Sequence, residues 1–486
     1  MSNIKKLKDL RLQLIDIAIQ GKLVEQRAEE GSAQELFDKI QKEKQDLIKA
    51  GKLKKEKALP EISDDEIPFE IPESWKWVRL STVISLVSGR DLELKQILDK
   101  ESYVPYITGA SQITDTELII SRWTDKPISI SRFGDILISC KGTVGKVIIN
   151  SVGDIHIARQ IMAIRNLSCD LSSKYVKYFI IKNKKNLQNK AVGLIPGISR
   201  EDILNLCLPL PPLEEQKRIV EKLESYLNVI DRAIDLLERK AKLDEVIKQK
   251  ILQMAIQGKL VEQRTEEGSA QELFDKIQKE KQELIKAGKL KKEKALPEIS
   301  DDEIPFEIPE SWKWFRIGQL VEPAKQTSPT QRFRYIDVSA INNKTKKIEN
   351  LSEYSHDKAP SRARRVVQKG MVLFSTVRPY YLNTVIYQEE IKNLPVFAST
   401  AFASFMCKKN VFNKYLWYTM QSPFFFNYVT KTQRGASYPA INEKDFYSGC
   451  VPIPPLEEQK RIVAKVEQLF SLIDKMSLDI DSSESL

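Results

Sequence analysis

The chain has 486 residues, 42% hydrophobic and 30% charged, a globular balance that excludes pervasive disorder. At roughly 150 residues per domain it is long enough for about three domains, and no apolar run approaches the ~20 residues of a membrane helix. Lys plus Arg outnumber Asp plus Glu by 77 to 67, a net +10 that points to an anionic partner.

The segment Met1–Leu10 has no signal-peptide core, and five cysteines stand singly without CxxC spacing. A reduced, cytoplasmic protein is expected. The two histidines, His156 and His356, are too few for a histidine-rich zinc site. The charge is unevenly placed. Val78–Cys207 carries 18 basic and 12 acidic residues, and Phe315–Cys450 carries 20 and 9; the remainder is net negative. Two basic modules on a neutral-to-acidic frame fit nucleic-acid binding; plain basic surfaces are the alternative.

The chain is written twice. Ala18–Trp77 returns as Ala255–Trp314 with two changes in 60 residues, Ala28 to Thr265 and Asp46 to Glu283. PPLEEQKRIV occurs at Pro211–Val220 and at Pro454–Val463. Set end to end, the C-terminal tail and the N-terminal segment rebuild the central stretch Pro211–Trp314. This predicts a pseudo-two-fold, circular organisation in which the termini meet.

The connectors read as helices. In the tail, Ile462, Val466, Leu469, Ile473, Met476 and Ile480 step by alternating fours and threes, a coiled-coil rhythm. Leu223, Leu227, Ile230, Ile234 and Leu237 repeat it in the centre, which predicts one long helix over 213–257. Its apolar stripe needs cover, and the N-terminal and tail helices offer the match in antiparallel pairing; burial against a module is the alternative. Shorter helices are expected from Ser32 to Ala50 and from Ser269 to Ala287. Each opens on a capping box, Ser32 with Glu35 and Ser269 with Glu272, and stops at Gly51 or Gly288. The Lys- and Pro-rich stretches that follow read as solvated linkers.

The two basic blocks share landmarks but little continuous sequence. Phe133–Ser139 aligns with Lys369–Ser375, Ala158 and Ala163 with Ala398 and Ala403, Tyr175–Tyr178 with Tyr415–Tyr418, and Ile195–Ile198 with Tyr438–Ile441. Short β-branched runs such as 146–149 and 385–387 indicate strands, and the Tyr175 and Tyr415 regions indicate helices. Each module is therefore α+β, a common apolar skeleton with different polar loops, as expected where each recognises a different surface. Candidate donors to base edges and phosphates lie in those loops: Ser111, Gln112, Lys141, Thr143, Lys146, Arg159 and Gln160 in the first block, and Asn342, Asn343, Thr376, Arg378, Tyr380, Gln433 and Arg434 in the second. An isolated polar loop is more often simply solvated; the clustering in the two most basic blocks favours DNA.

Catalytic signatures are missing. Gly142–Lys146 (GTVGK) lacks the glycine spacing of a phosphate loop, and Val147 stands where Ser or Thr is needed. The sequence shows no dinucleotide fingerprint, no metal-ligand cluster and no aminomethyltransferase motif. A recogniser without its own catalytic centre is expected.

In its paired PPLEEQKRIV blocks, its paired AIQGKLVEQ segments (Ala18–Gln26, Ala255–Gln263) and its paired IPESWKW segments (Ile71–Trp77, Ile308–Trp314), the chain resembles the specificity subunits of type I restriction-modification systems. GDILIS at Gly134–Ser139 and FSTVRPYY at Phe374–Tyr381 extend the resemblance to nearly the whole chain. It implies two α+β target recognition domains, over 61–210 and 298–453, separated by long antiparallel coiled-coil helices: an N-terminal helical segment over 1–60, a central region over 211–297 and a C-terminal helix over 454–486. Each domain is then expected to read one half of a bipartite, non-palindromic site in double-stranded DNA, about 10 bp apart. Expected partners are two methyltransferase subunits and two restriction-translocase subunits, with no membrane. S-adenosylmethionine, ATP and Mg2+ are expected to serve the partners, and this chain to hold no cofactor. The insertion at 21–57 and its copy depart from some family members. A type II recognition subunit with a fused methyltransferase-nuclease partner, or a stand-alone DNA-bridging protein, is the alternative.

Overall fold

A computed structural model describes residues 2–54, 61–99, 101, 103–191, 196–288, 296–389 and 394–482. The chain forms two compact units, residues 1–238 and 239–486, built on one plan.

In unit one, helix α1 (Ser2–Ile19) and helix α2 (Ala33–Lys49) precede the module, and the first part of helix α3 (Leu213–Ile256) follows it. Arg11 meets Asp231 at 2.9 Å, while further along Gln26 donates to Glu215 at 2.7 Å. One number rises as the other falls, so α1 and α3 run antiparallel. Ile15 and Ile19 close one core with Leu223 and Leu227. Unit two contains the second part of α3, helix α4 (Ala270–Lys286) and the tail helix α5 (Leu456–Ser482). Here Lys248 pairs with Asp474 at 2.8 Å, and Gln263 donates to Glu458 at 2.6 Å. The covered seam is thus observed within each unit: α1 takes in unit one the part that the end of α3 takes in unit two. The equivalence of α1 with the end of α3 is the one that the repeats predict.

The short helices differ in one detail. Ser32 caps α2 by accepting the Glu35 N–H, whereas Ser269, in the same sequence context, makes no side-chain cap on α4. Both helices bury one face, Ala33, Leu36 and Ile40 or Ala270, Leu273 and Ile277.

Each module has two four-stranded sheets. In unit one the strands are β1 (Ile84–Ser88), β2 (Val104–Ile107), β3 (Ile136–Ser139), β4 (Val147–Ile149), β5 (Ile155–Ile157) and β6 (Ile161–Asn166), with two-residue strands at Trp123–Thr124 and Ile130–Ser131. One sheet has the order β1-β6-β3-β4, all antiparallel; in the other β2 and β5 pair in parallel. Unit two repeats this with β7 (Val321–Pro323), β8 (Phe333–Ile336), β9 (Val372–Ser375), β10 (Thr384–Ile386), β11 (Val396–Ser399) and β12 (Phe402–Cys407). All four residues of β3 are buried because its side chains alternate between two cores. Ile136 and Ile138 face the helices, and Leu137 faces the second sheet. Val372, Phe374 and Leu373 do the same in β9. Helices Ser173–Lys182 and Asn413–Thr419 lie where the Tyr175 and Tyr415 landmarks predict.

One landmark is corrected. Leu137 stands opposite Ala163, but its counterpart Leu373 stands opposite Ser404. The match of Ala158 and Ala163 to Ala398 and Ala403 is therefore one residue out of register. In a strand a one-residue slip moves every side chain to the other face, so the small residues misled where the ladder does not.

Candidate nucleic-acid interface

The loops that follow β3 and β9 have different sequences on one backbone lattice. In unit one, Cys140 N–H donates to Gln160 O at 2.8 Å, Gly142 N–H to Pro196 O at 2.9 Å, and Ile198 N–H to Cys140 O at 2.9 Å. In unit two, Thr376 donates to Ala401 O at 2.8 Å, Arg378 to Pro439 O at 2.7 Å, and Ile441 to Thr376 O at 2.9 Å. Three separate segments are zipped together in each case. Pro196–Ile198 and Pro439–Ile441 correspond as the sequence predicts; Ile195 lies outside the described residues.

Both loops pass through two left-handed residues. Unit one uses Gly142 (φ +74°) and Gly145 (φ +86°), where glycine meets no Cβ penalty. Unit two uses Arg378 and Leu382, both at φ +48°. Each non-glycine there costs about 1–2 kcal/mol. Arg378 combines that strain with an exposed side chain at the tip of its loop.

The sequence-predicted residues separate on burial. In unit one, Lys141 and Thr143 are exposed at the loop tip, and Ser111 is exposed on the neighbouring turn. Arg159 and Gln160 are exposed on the β5–β6 turn; Arg159 pairs with Asp91 at 2.8 Å. Gln112 is not a surface donor. It is buried, its Oε1 accepts from the Thr108 N–H (2.6 Å) and hydroxyl (2.7 Å), and its Nε2 donates to Ile119 O at 3.0 Å. Lys146 turns inward to the carbonyls of Ala110 and Ile113, at 2.9 Å each.

In unit two, Arg378 is exposed and its guanidinium lies 5.5 Å from the centre of the Tyr438 ring. Arg434 is exposed and reaches Asp445 at 3.0 Å. Tyr380 is half-buried against Tyr381, with ring centres 4.6 Å apart. Thr376 is buried, its hydroxyl on Ala401 O at 2.9 Å. Asn342 closes a turn by accepting the Lys344 and Thr345 N–H groups at 2.9 and 3.1 Å, and Asn343 accepts from Lys346 at 2.7 Å. Gln433 is half-buried beside Arg434.

Sequence reasoning missed Tyr438, 74% exposed, and Tyr381, 49% exposed. Tyr381 follows the named Tyr380 directly, and that adjacency is the signal that could have found it; Tyr438 meets Arg378 only through the fold. Unit one therefore offers exposed cations with the Gln160 amide, and unit two offers exposed cations interleaved with tyrosines, combinations suited to phosphates, base edges and sugar or base faces. Nucleophilic chemistry has little support. Burial pushes the Cys140 thiol up to about 11 even beside Lys141, and burial pulls the His156 imidazole below its usual value. Among the described residues no three His, Cys, Asp or Glu side chains group to hold a metal. Also among the described residues, no helix is long and apolar enough to cross a membrane.

A family model described as the type I restriction modification DNA specificity domain matches residues 72–241 and again 309–480. The specificity subunit of the EcoAI type I restriction enzyme of Escherichia coli is 28% identical, the match covering 99% of this chain and 91% of that protein. The EcoEI specificity subunit, also from Escherichia coli, is 26% identical over the same shares. A chain solved in work on complex assembly and conformational transition of the type I restriction-modification system superposes with a TM-score of 0.56 at 19% identity, covering 86% of this chain and 95% of that one; it supports the fold.

Proposed function

Because this chain belongs to the family of type I restriction-modification DNA specificity domains and is a specificity subunit of such a system, we propose that each of its two units reads one half of a split, non-palindromic target in double-stranded DNA. One observation carries this reading. The loops after β3 and β9 share their hydrogen-bond lattice but expose Lys141, Gly142 and Thr143 in one unit and Arg378 in the other. A shared lattice with unlike side chains serves two modules that dock alike and read different bases.

Arg378 and Lys141 lead the two edges as donors to guanine O6 and N7 or to phosphate. Gln160 suits adenine, and Arg159, Thr143, Ser111 and Arg434 flank as phosphate or sugar contacts. Tyr380, Tyr381 and Tyr438 supply apolar faces. The chain performs no chemistry in this reading. Two methyltransferase subunits using S-adenosylmethionine, and two restriction-translocase subunits using ATP and Mg2+, act on the site it selects. The outward faces of α2 (Gln34, Glu35, Asp38, Lys42) and α4 (Gln271, Glu272, Asp275, Lys279) are exposed and identical, which suits two copies of one docking partner.

Methylome sequencing of cells carrying the complete system tests the reading. Two unlike half-sites separated by unread bases are expected, and exchange of Val78–Cys207 for a relative's module should alter one half alone. A single continuous palindrome, or a change in both halves, overturns it. Charge reversals on α2, on α4 and on both, followed by native mass spectrometry, should remove one, one and two methyltransferase subunits. Retention of two by the folded double variant places docking elsewhere.

A further inference from the structure

Next to each reading loop lies a small hairpin that begins with a 3-10 turn. In unit one it follows β2: the turn Ala110–Gln112, then Ile113 bridged to Leu118. In unit two it follows β8: the turn Val338–Ala340, then Ile341 paired with Ile348. A lysine ties loop to hairpin in both units, but from opposite sides. Lys146 belongs to the loop and reaches the hairpin carbonyls of Ala110 and Ile113, at 2.9 Å each. Lys346 belongs to the hairpin and reaches the loop carbonyl of Leu382 at 2.7 Å, steadied by Asn343 Oδ1 at 2.7 Å.

The two ties are not one residue carried through the duplication. Ser139 N–H donates to Lys146 O at 3.0 Å, and its counterpart Ser375 N–H donates to Asn383 O at 2.8 Å, so Asn383 stands in register with Lys146. Two different residues meet one constraint. Both lysines are half-buried. Burial pulls the Lys346 ammonium down to about 8, and its backbone is left-handed at φ +52°. Such an arrangement is maintained against its cost where the position of the loop matters. The carbonyls it grips are telling: Leu382 is itself one of the two left-handed residues that aim the loop carrying Arg378.

We infer that Lys146 and Lys346 are positioning residues for base discrimination, each fixing the reading loop of its own unit without touching DNA. The inference rests on the DNA-reading function proposed above.

The test uses the full-length chain, a randomised double-stranded DNA library from which bound duplexes are sequenced, and salt titrations on one fixed duplex. Wild type should recover two half-sites, each mismatch discriminated by about tenfold or more. Lys146→Met should reduce discrimination to about threefold or less in one half-site and leave the other unchanged. Lys346→Met should do the same to the other half-site alone. Adding Asn383→Lys to Lys346→Met places the tie where unit one has it and should restore discrimination. The salt dependence should stay as in wild type, because no phosphate contact is lost. Unchanged discrimination in folded variants overturns the inference. So does uniform weakening across sequences with the salt slope reduced by about one, which marks a phosphate contact. Should a methionine variant fail to fold, Lys146→Arg and Lys346→Arg replace it, with the same expected loss in one half-site and the same overturning results. A wild-type chain that selects no sequence defeats the reading function itself, a result distinct from a wild type that selects two half-sites and variants that do likewise.

Discussion

Arg316 grips Glu303 with both terminal nitrogens, at 2.6 and 2.7 Å, and is itself only 4% exposed. The same guanidinium donates to Ser448 O at 2.7 Å and to Glu298 O at 2.8 Å, binding the segment before the second module to the end of the helix Glu443–Ser448. Arg79 and Glu66 repeat the clamp in unit one, at 2.6 Å for both contacts. Hydrogen bonds from the arginine hold each carboxyl at about 2. A depressed carboxylate stabilises the fold fully above its unfolded value near 4.5, and that contribution is lost as pH falls toward about 2. Thermal unfolding followed from pH 6 to pH 2 should therefore show an acid limb that is shallower in Glu303→Gln. An identical limb in the variant would show that the clamp contributes nothing to acid stability.

Each unit also holds a carboxylate with the opposite sign. Glu458 is buried and accepts from Gln263 at 2.6 Å and from the Trp312 indole at 3.0 Å. Burial raises its carboxyl, as it does that of Glu215. The folded state then binds this proton more readily than the unfolded state, so the contribution grows more favourable as pH falls toward the ordinary value near 4.5. Glu458→Gln removes this dependence but leaves one of two donors facing an amide nitrogen. It should be destabilised at pH 7 by about 1–3 kcal/mol, measured by urea unfolding.

At position 378 the usual order of alanine over glycine should invert. Arg378→Gly relieves the left-handed strain, and Arg378→Ala keeps it while losing the same contact with Tyr438. The glycine variant should be more stable by about 1 kcal/mol. Both should lose base discrimination alike. Gly142→Ala is the mirror experiment: nothing lies within 4 Å of the added methyl, so its cost of about 1 kcal/mol is conformational alone.

Gly21 and Gly258 stop α1 and α3 at φ +74° and +69°. A Cβ would stand 2.7 Å from the Pro72 ring in one unit and 2.4 Å from the Pro309 ring in the other. Strain and overlap together should make Gly21→Ala or Gly258→Ala cost roughly 2–4 kcal/mol. Hydrogen exchange should place the loss of protection in the unit that carries the change; loss spread evenly over both units counts against independent cores.

The doubled plan, the long helix and the strand after Gly134 are legible because they are written as repeats and as local periodicity. The polar residues are less so. Lys146 looks like a loop-tip lysine until the carbonyls of Ala110 and Ile113, more than thirty residues earlier, are seen to take it inward. Gln112 is likewise consumed by Thr108 and Ile119. Tyr438 gains meaning only because Arg378 N–H bonds to Pro439 and brings the two segments together. Pairings of that kind leave no periodic trace. The strand ladder likewise decided what the alanines could not, placing Ala163 with Ser404.

The interchange of helices between the units has a consequence for inheritance. Residues 18–77 and 255–314 are so nearly the same that a crossover anywhere within them joins Trp77 to Phe315 without disturbing the sequence around the junction. The product would lose one reading module, yet its α1 carries the stretch that matches the end of α3, and α5 is the helix which that end meets in unit two. The reverse event would insert an additional reader in frame. A chain arranged in this way can shorten, lengthen or exchange its recognition modules by recombination while each remaining module keeps a paired helical frame.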